Sequence, residues 1–140
     1  MVVLTSRDPV NVLRSLLPLL SYALGVQNDR VDLHPFGAAW VTRLYSMMTS
    51  QKKNAPLFPK AIKTAFEDFT SSANATMQLV EDICKQAGLS TAEEALNPIR
   101  VFVEGERIAK VGGSRKTFKY DLEVFGIDEA TVAQQFASVV

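Results

Sequence analysis

A chain of 140 residues, 47% hydrophobic and 21% charged, has globular composition and length enough to bury a core, which excludes intrinsic disorder. Lys plus Arg and Asp plus Glu balance at 15 each. No global field therefore draws the chain to nucleic acid or to an acidic membrane, and only a local patch can. The single cysteine, Cys84, cannot form an internal disulfide, as expected in a reducing compartment.

Val2, Val3 and Leu4 are short, apolar and partly β-branched, and suggest an edge strand. Asp8 followed by Pro9 is a helix start, a side-chain acceptor and then a residue whose missing N–H costs nothing there. Val10, Leu13, Leu17, Leu20 and Leu24 then step by three and four. Val12, Leu16, Leu19 and Ala23 form a second apolar row, and Gly25 is the natural stop. A helix this apolar is wrapped by neighbours, in its own fold or in a partner. Leu13, Leu17, Leu20 and Leu24 are therefore candidate interface residues. The apolar run 16–24 is interrupted by Pro18 and Ser21 and falls well short of the roughly 20 residues that span a bilayer. No N-terminal segment joins a charged start, an apolar stretch and a small-residue cleavage site. The expectation is a cytoplasmic protein without membrane contact.

Helix resumes at Pro35, with Phe36, Trp40, Leu44 and Met47 or Met48 in one row. Residues 50–58 hold Lys52, Lys53, Asn54 and Pro56, with Pro59 just beyond, and read as loop. Pro59 opens a further helix with Ile62, Ala65, Phe66 and Phe69 inward. Ser71 and Ser72 interrupt it or cap the next, in which Met77, Val80, Ile83, Cys84 and Ala87 keep the period up to Gly88. Ser90 with Glu93 is a capping box for a short helix that Asn97-Pro98 ends.

From Ile99 the sequence pattern predicts a change of period to two. Ile99, Val101 and Val103 alternate with Arg100, Phe102 and Glu104. Arg107, Ala109 and Val111 follow a Glu104-Gly105 turn, and Phe118, Tyr120, Leu122 and Val124 come after Gly112-Gly113-Ser114. Alternation marks half-buried strands, and glycine suits tight turns. This predicts a three-stranded antiparallel meander. Asp128 then caps a last helix with Val132, Phe136 and Val139 inward. The expected fold class is α+β in one domain spanning 1–140, with a helical part at about 8–97 and a meander plus C-terminal helix at about 98–140.

The residues offer little chemistry. His34 is the only histidine, which leaves no catalytic triad or conventional zinc site in one chain. Cys84 sits in an apolar row and reads as packed. The adjacent acidic pairs Glu67-Asp68, Glu81-Asp82 and Glu93-Glu94 diverge by about 100° on a helix and do not converge on one bond. Catalytic residues, metal ligands and cofactors are all expected to be none. The one surface with a functional reading is Lys110, Gly112, Gly113, Arg115, Lys116 and Lys119. These are cations around a glycine tip, suited to phosphate contact.

Here the chain resembles the opening of the translation initiation factor 1 family and its density-regulated relatives. Residues Gly113-Ser114-Arg115-Lys116-Thr117 stand where that family has its basic loop, residues 122–128 at the strand end and helix entry, and Val132, Ala133 and Phe136-Ala137 in the helix. The likeness covers the last quarter of the chain, which stops before the family's further strands and second helix. It implies contact with ribosomal RNA. Two functions are thus expected to compete. The leading one is a non-enzymatic structural or assembly protein, coat- or nucleocapsid-like in its concrete form. It would associate with itself or with other subunits and carry a candidate RNA-facing loop at 110–119. The other is a monomeric RNA- or ribosome-binding adaptor.

Overall fold

The computed structural model describes residues 1–111 and 121–139, and for 109–111 the backbone alone. Residues 1–6 and 58–111 form one compact unit, and residues 7–57 and 121–139 the other.

The first unit holds strands β1 (Val3–Ser6) and β2 (Ile62–Ala65) and helices α3 (Phe66–Thr70), α4 (Ala73–Ala87) and α5 (Glu93–Val111). The strands pair in parallel, Val3 opposite Ile62 through Ser6 opposite Ala65. A parallel pair needs a long crossover, and here the chain between the strands includes two helices of the other unit. The Ser72 hydroxyl accepts from the Ala75 amide at 3.0 Å and starts α4. Gly88 ends it in the left-handed region, at φ 69°. Met77, Cys84 and Leu96 are the buried centre, with Val80 and Val103 packed against them.

The second unit holds α1 (Pro9–Gly25), α2 (Leu33–Asn54) and α6 (Glu129–Phe136), with 3-10 turns at Ala55–Leu57 and Leu122–Phe125. The Asp8 carboxylate accepts from the Asn11 amide at 2.8 Å, with Pro9 behind it, as the local sequence predicts. Asp128 caps α6, accepting from the amide and the hydroxyl of Thr131. Those two hydrogen bonds, the hydroxyl's first, hold its carboxyl below the ordinary aspartate range. Being lowered on folding, this group stabilises above the unfolded carboxylate's pKa, and the contribution is lost as pH falls through the lowered value. The core joins Leu13 and Leu17 of α1, Leu44 of α2, Leu122 and Phe125 of the second 3-10 turn, Ile127 just after that turn, and Val132 and Phe136 of α6. Phe36, Trp40 and Met48 of the expected row of α2 pack on it, and Val41 and Tyr45 beside that row do so too, while Met47 is exposed.

Three expectations are corrected. The antiparallel meander is not formed: α5 runs unbroken from Glu93 to Val111 through Pro98, and Leu122–Phe125 is a 3-10 turn. Residues 112–120 of the expected meander lie outside the described residues. Among the described residues the only sheet is the two-stranded parallel one, so the fold is mainly helical. The inward row of α5 is Leu96, Arg100, Val103 and Glu106, which steps by four, three and three as a helix does. Pro98 removes the bond to the Glu94 carbonyl, but both residues lie on the exposed side, where water satisfies that oxygen. The helix predicted from Pro59 gives way to β2, because β-branched Ile62 and Thr64 pair with a strand nearly 60 residues earlier. The loop predicted over 50–58 is shortened, since α2 runs on to Asn54.

Gly105 separates helix from hairpin. It lies within α5, and a Cβ added there meets nothing within 4 Å. Gly105→Ala should therefore stabilise the chain by roughly 0.5–1 kcal/mol, read as a higher urea midpoint. A loss of stability would restore the positive-φ turn.

Candidate interaction surface

The four candidate interface leucines divide by depth. Leu13 and Leu17 are fully buried in the core of their own unit, which closes them to a partner. Leu20 and Leu24 are half-buried on the flank of α1. The opposite side of that helix carries Leu19, Tyr22 and Val26, exposed at 65%, 75% and 72%, with Ala23 also exposed among them. At 100° per residue these four share an arc of about 100°. The signal was the second apolar row of α1. Its own unit covers the first row and also Val12 of the second, and the outward part, Leu19 and Ala23, runs on to Tyr22 and Val26.

Charge is nearly absent from this helix. Arg14 is the one charged residue between Pro9 and Gly25. Its guanidinium grips Glu129 of α6, Nε to Oε1 at 2.9 Å and Nη2 to Oε2 at 2.7 Å. Both partners are over 40% exposed, so the pair fixes geometry more than it stabilises. It also holds the only cation of α1 away from the apolar arc.

The other unit has an apolar face of its own. On α5, Val101, Phe102 and Ile108 are exposed at 62%, 66% and 73%, around Gly105. The basic candidates adjoin this helix in sequence. Lys110 lies in its last turn, where only the backbone is described, and Gly112, Gly113, Arg115, Lys116 and Lys119 lie outside the described residues.

Cys84 is packed against Met77 and Leu96, as its row predicts. His34 stands in the first turn of α2. Its ring lies against Gly126, where an added Cβ would come within 3.0 Å of Cγ. An open groove of about 240 Å³ between β2, α3 and α4 is lined by Lys63, Thr64, Asp68, Phe69, Gln78 and Asp82 among others. Lys63, Asp68 and Asp82 are all exposed, and Gln78 donates to Asp82 at 3.1 Å. These are solvated groups. Among the described residues no three His, Cys, Asp or Glu side chains come together to hold a metal, and no helix is long and apolar enough to cross a membrane.

No family model, curated protein or solved structure matches the chain.

Proposed function

We propose that the chain is a non-enzymatic assembly subunit that associates with copies of itself or with other protein subunits, as a coat or nucleocapsid protein does. One observation carries the reading: each of the two units turns an apolar helix face outward, Leu19, Tyr22 and Val26 on α1 and Val101, Phe102 and Ile108 on α5. Scattered exposed apolar residues are ordinary, whereas aligned ones mark contact surfaces. The unit carrying α5 adds support. Its buried cluster among the described residues is Met77, Cys84 and Leu96, a thin core for its length. Covering the α5 face would enlarge it.

The test is solution mass by light scattering over a hundredfold range of concentration, with absorbance followed at 260 and 280 nm. A discrete oligomer or particle is expected. A monomer throughout would overturn the reading and favour the RNA- or ribosome-binding adaptor that the C-terminal resemblance implies.

RNA contact by residues 110–119 belongs to the same proposal, supported by Lys110, Arg115, Lys116 and Lys119 beside two glycines. Arg115→Glu combined with Lys116→Glu should abolish RNA retention. Each single charge reversal should lower the slope of log affinity against log salt by about one or more. Filter binding at several salt concentrations reads both, and unchanged slopes would remove this stretch from the interface.

A further inference from the structure

We propose that the groove between β2 and α4 receives an extended, basic peptide segment of a partner protein, added as a third strand to the free edge of β2. The site lies wholly within the unit formed by residues 1–6 and 58–111 and stands apart from the assembly reading.

Register sets the edge. The Ile62 amide donates to the Val2 carbonyl at 3.1 Å, and Ile62 lies opposite Val3. In a parallel pair alternate residues turn both backbone groups toward the partner strand. Ile62 and Thr64 therefore face β1, and Lys63 turns its N–H and C=O the other way. Among the described residues no strand pairs on that side. The groove lies there. Three successive β2 residues, Ile62, Lys63 and Thr64, line it, and no residue of β1 does. A cavity on one face of the sheet would meet alternate residues of both strands. One that meets successive residues of β2 alone runs along its outer edge.

Helix α4 is the opposite wall. The Gln86 side-chain amide donates to the Lys60 carbonyl just before β2, and the Thr76 hydroxyl donates to the Phe69 carbonyl beyond it at 2.7 Å. Between these ties the groove is open. Half-buried Phe69, Ala75 and Leu79 give it an apolar floor, and exposed Gln78 and Asp82 stand at its rim. A strand edge beside a partly apolar floor fits an extended chain, whose backbone pairs with the edge while alternate side chains enter the groove.

Charge selects the partner. The carboxylates of Asp68 and Asp82 line the groove, against the one cation of Lys63. The tie from Thr76 to Phe69 sets Asp68 near Ala75. Asp82 lies two turns further along α4, about 10 Å on. Three residues of extended chain also span about 10 Å. A segment with three residues in the groove thus carries a lysine or arginine past each end, one toward each carboxylate. An acidic segment would meet its like there.

The probe is the fluorescein-labelled pentapeptide Lys-Val-Thr-Val-Lys, titrated with the full chain and followed by fluorescence polarisation. Saturable binding is expected, weakening as salt is added. Asp68→Asn combined with Asp82→Asn should lower the affinity about fivefold or more. Both positions are exposed, so the fold survives, which circular dichroism checks. The same peptide N-methylated at its three central amides keeps the charges and loses the strand donors. It should bind about tenfold more weakly or not at all. Saturating the groove should also slow hydrogen exchange at the Lys63 amide. No binding of the unmodified probe up to its solubility would overturn the site. Equal binding of the N-methylated probe would overturn strand addition, and an affinity unchanged in the double variant would overturn the basic partner. None of these outcomes bears on the light-scattering test of assembly.

Discussion

Phe136→Ala should be among the most damaging single substitutions in the chain. The ring is fully buried at the end of α6 and stands edge-on to Tyr45 of α2, centroids 5.4 Å apart with planes at 90°. Removing it forfeits transfer free energy, opens a cavity among Leu13, Leu17 and Leu122, and ends the aromatic contact. The expected cost is about 3–5 kcal/mol, against total stabilities that are typically about 5–15 kcal/mol. A unit of this size should lose about 10 °C or more of melting temperature. The matched control is Phe102→Ala on α5, the same chemical deletion from a ring exposed at 66%. It should change stability at low protein concentration by no more than about 0.5 kcal/mol. Urea melts of both variants decide the matter: equal losses would mean that the buried and exposed faces are wrongly placed.

The caps of the fold were legible because they are local. Asp8-Pro9, Ser72, Gly88 and Asp128 each act within a few residues of themselves, through one side-chain acceptor or one left-handed glycine. The inward rows of α1, α2 and α6 were legible for the same reason, since three- and four-residue spacing survives whatever surrounds it. The region from Ile99 was not legible. In Ile99-Arg100-Val101-Phe102-Val103 four of five residues are apolar, so alternation and helical spacing both fit, and periodicity alone does not choose between them. Pro98 and Gly105 tipped the reading toward strand and turn. In the structure the proline's missing donor falls on the wet side, and the glycine keeps an ordinary helical φ. Strand β2 failed for the opposite reason. Ile62, Ala65, Phe66 and Phe69 fit a helical row, and the partner that makes Ile62–Ala65 a strand is Val3–Ser6, a contact that no local window contains.

The candidate surface was half legible. Sequence identified α1 as too apolar to stand alone and singled out its row of leucines, two of which the core consumes. Which row faces out depends on where α2 and α6 pack, and that is information from residues 33–54 and 129–136 rather than from α1 itself. The two apolar rows of α1 become distinguishable once Leu13 and Leu17 are seen among Phe125, Val132 and Phe136. Leu19, Tyr22 and Val26 are then left over, and their excess is what the assembly reading explains.

Gly37→Ala should destabilise the chain by about 1–3 kcal/mol, although alanine is the better helix former by close to 1 kcal/mol. Gly37 is buried in α2 where the 3-10 segment crosses it. A Cβ there would overlap the Phe125 carbonyl oxygen and come within 2.9 Å of the Phe125 Cβ and 3.2 Å of the Ile127 Cδ1. The obstruction is backbone, which no rotamer change relieves. Either α2 withdraws and opens the contact with Phe125 and Ile127, or the 3-10 segment shifts and strains Gly126, which is held at φ 66° against His34. Gly105→Ala makes the same chemical change in the interior of α5, where the new methyl meets open space. The two substitutions share their propensity gain and their effect on the unfolded chain, so the difference between them isolates the steric term. Urea midpoints should move in opposite directions, downward for Gly37→Ala and upward for Gly105→Ala. Movement in the same direction would mean that α2 does not approach the Phe125 backbone this closely, and the packing of the 3-10 segment on α2 would have to be redrawn.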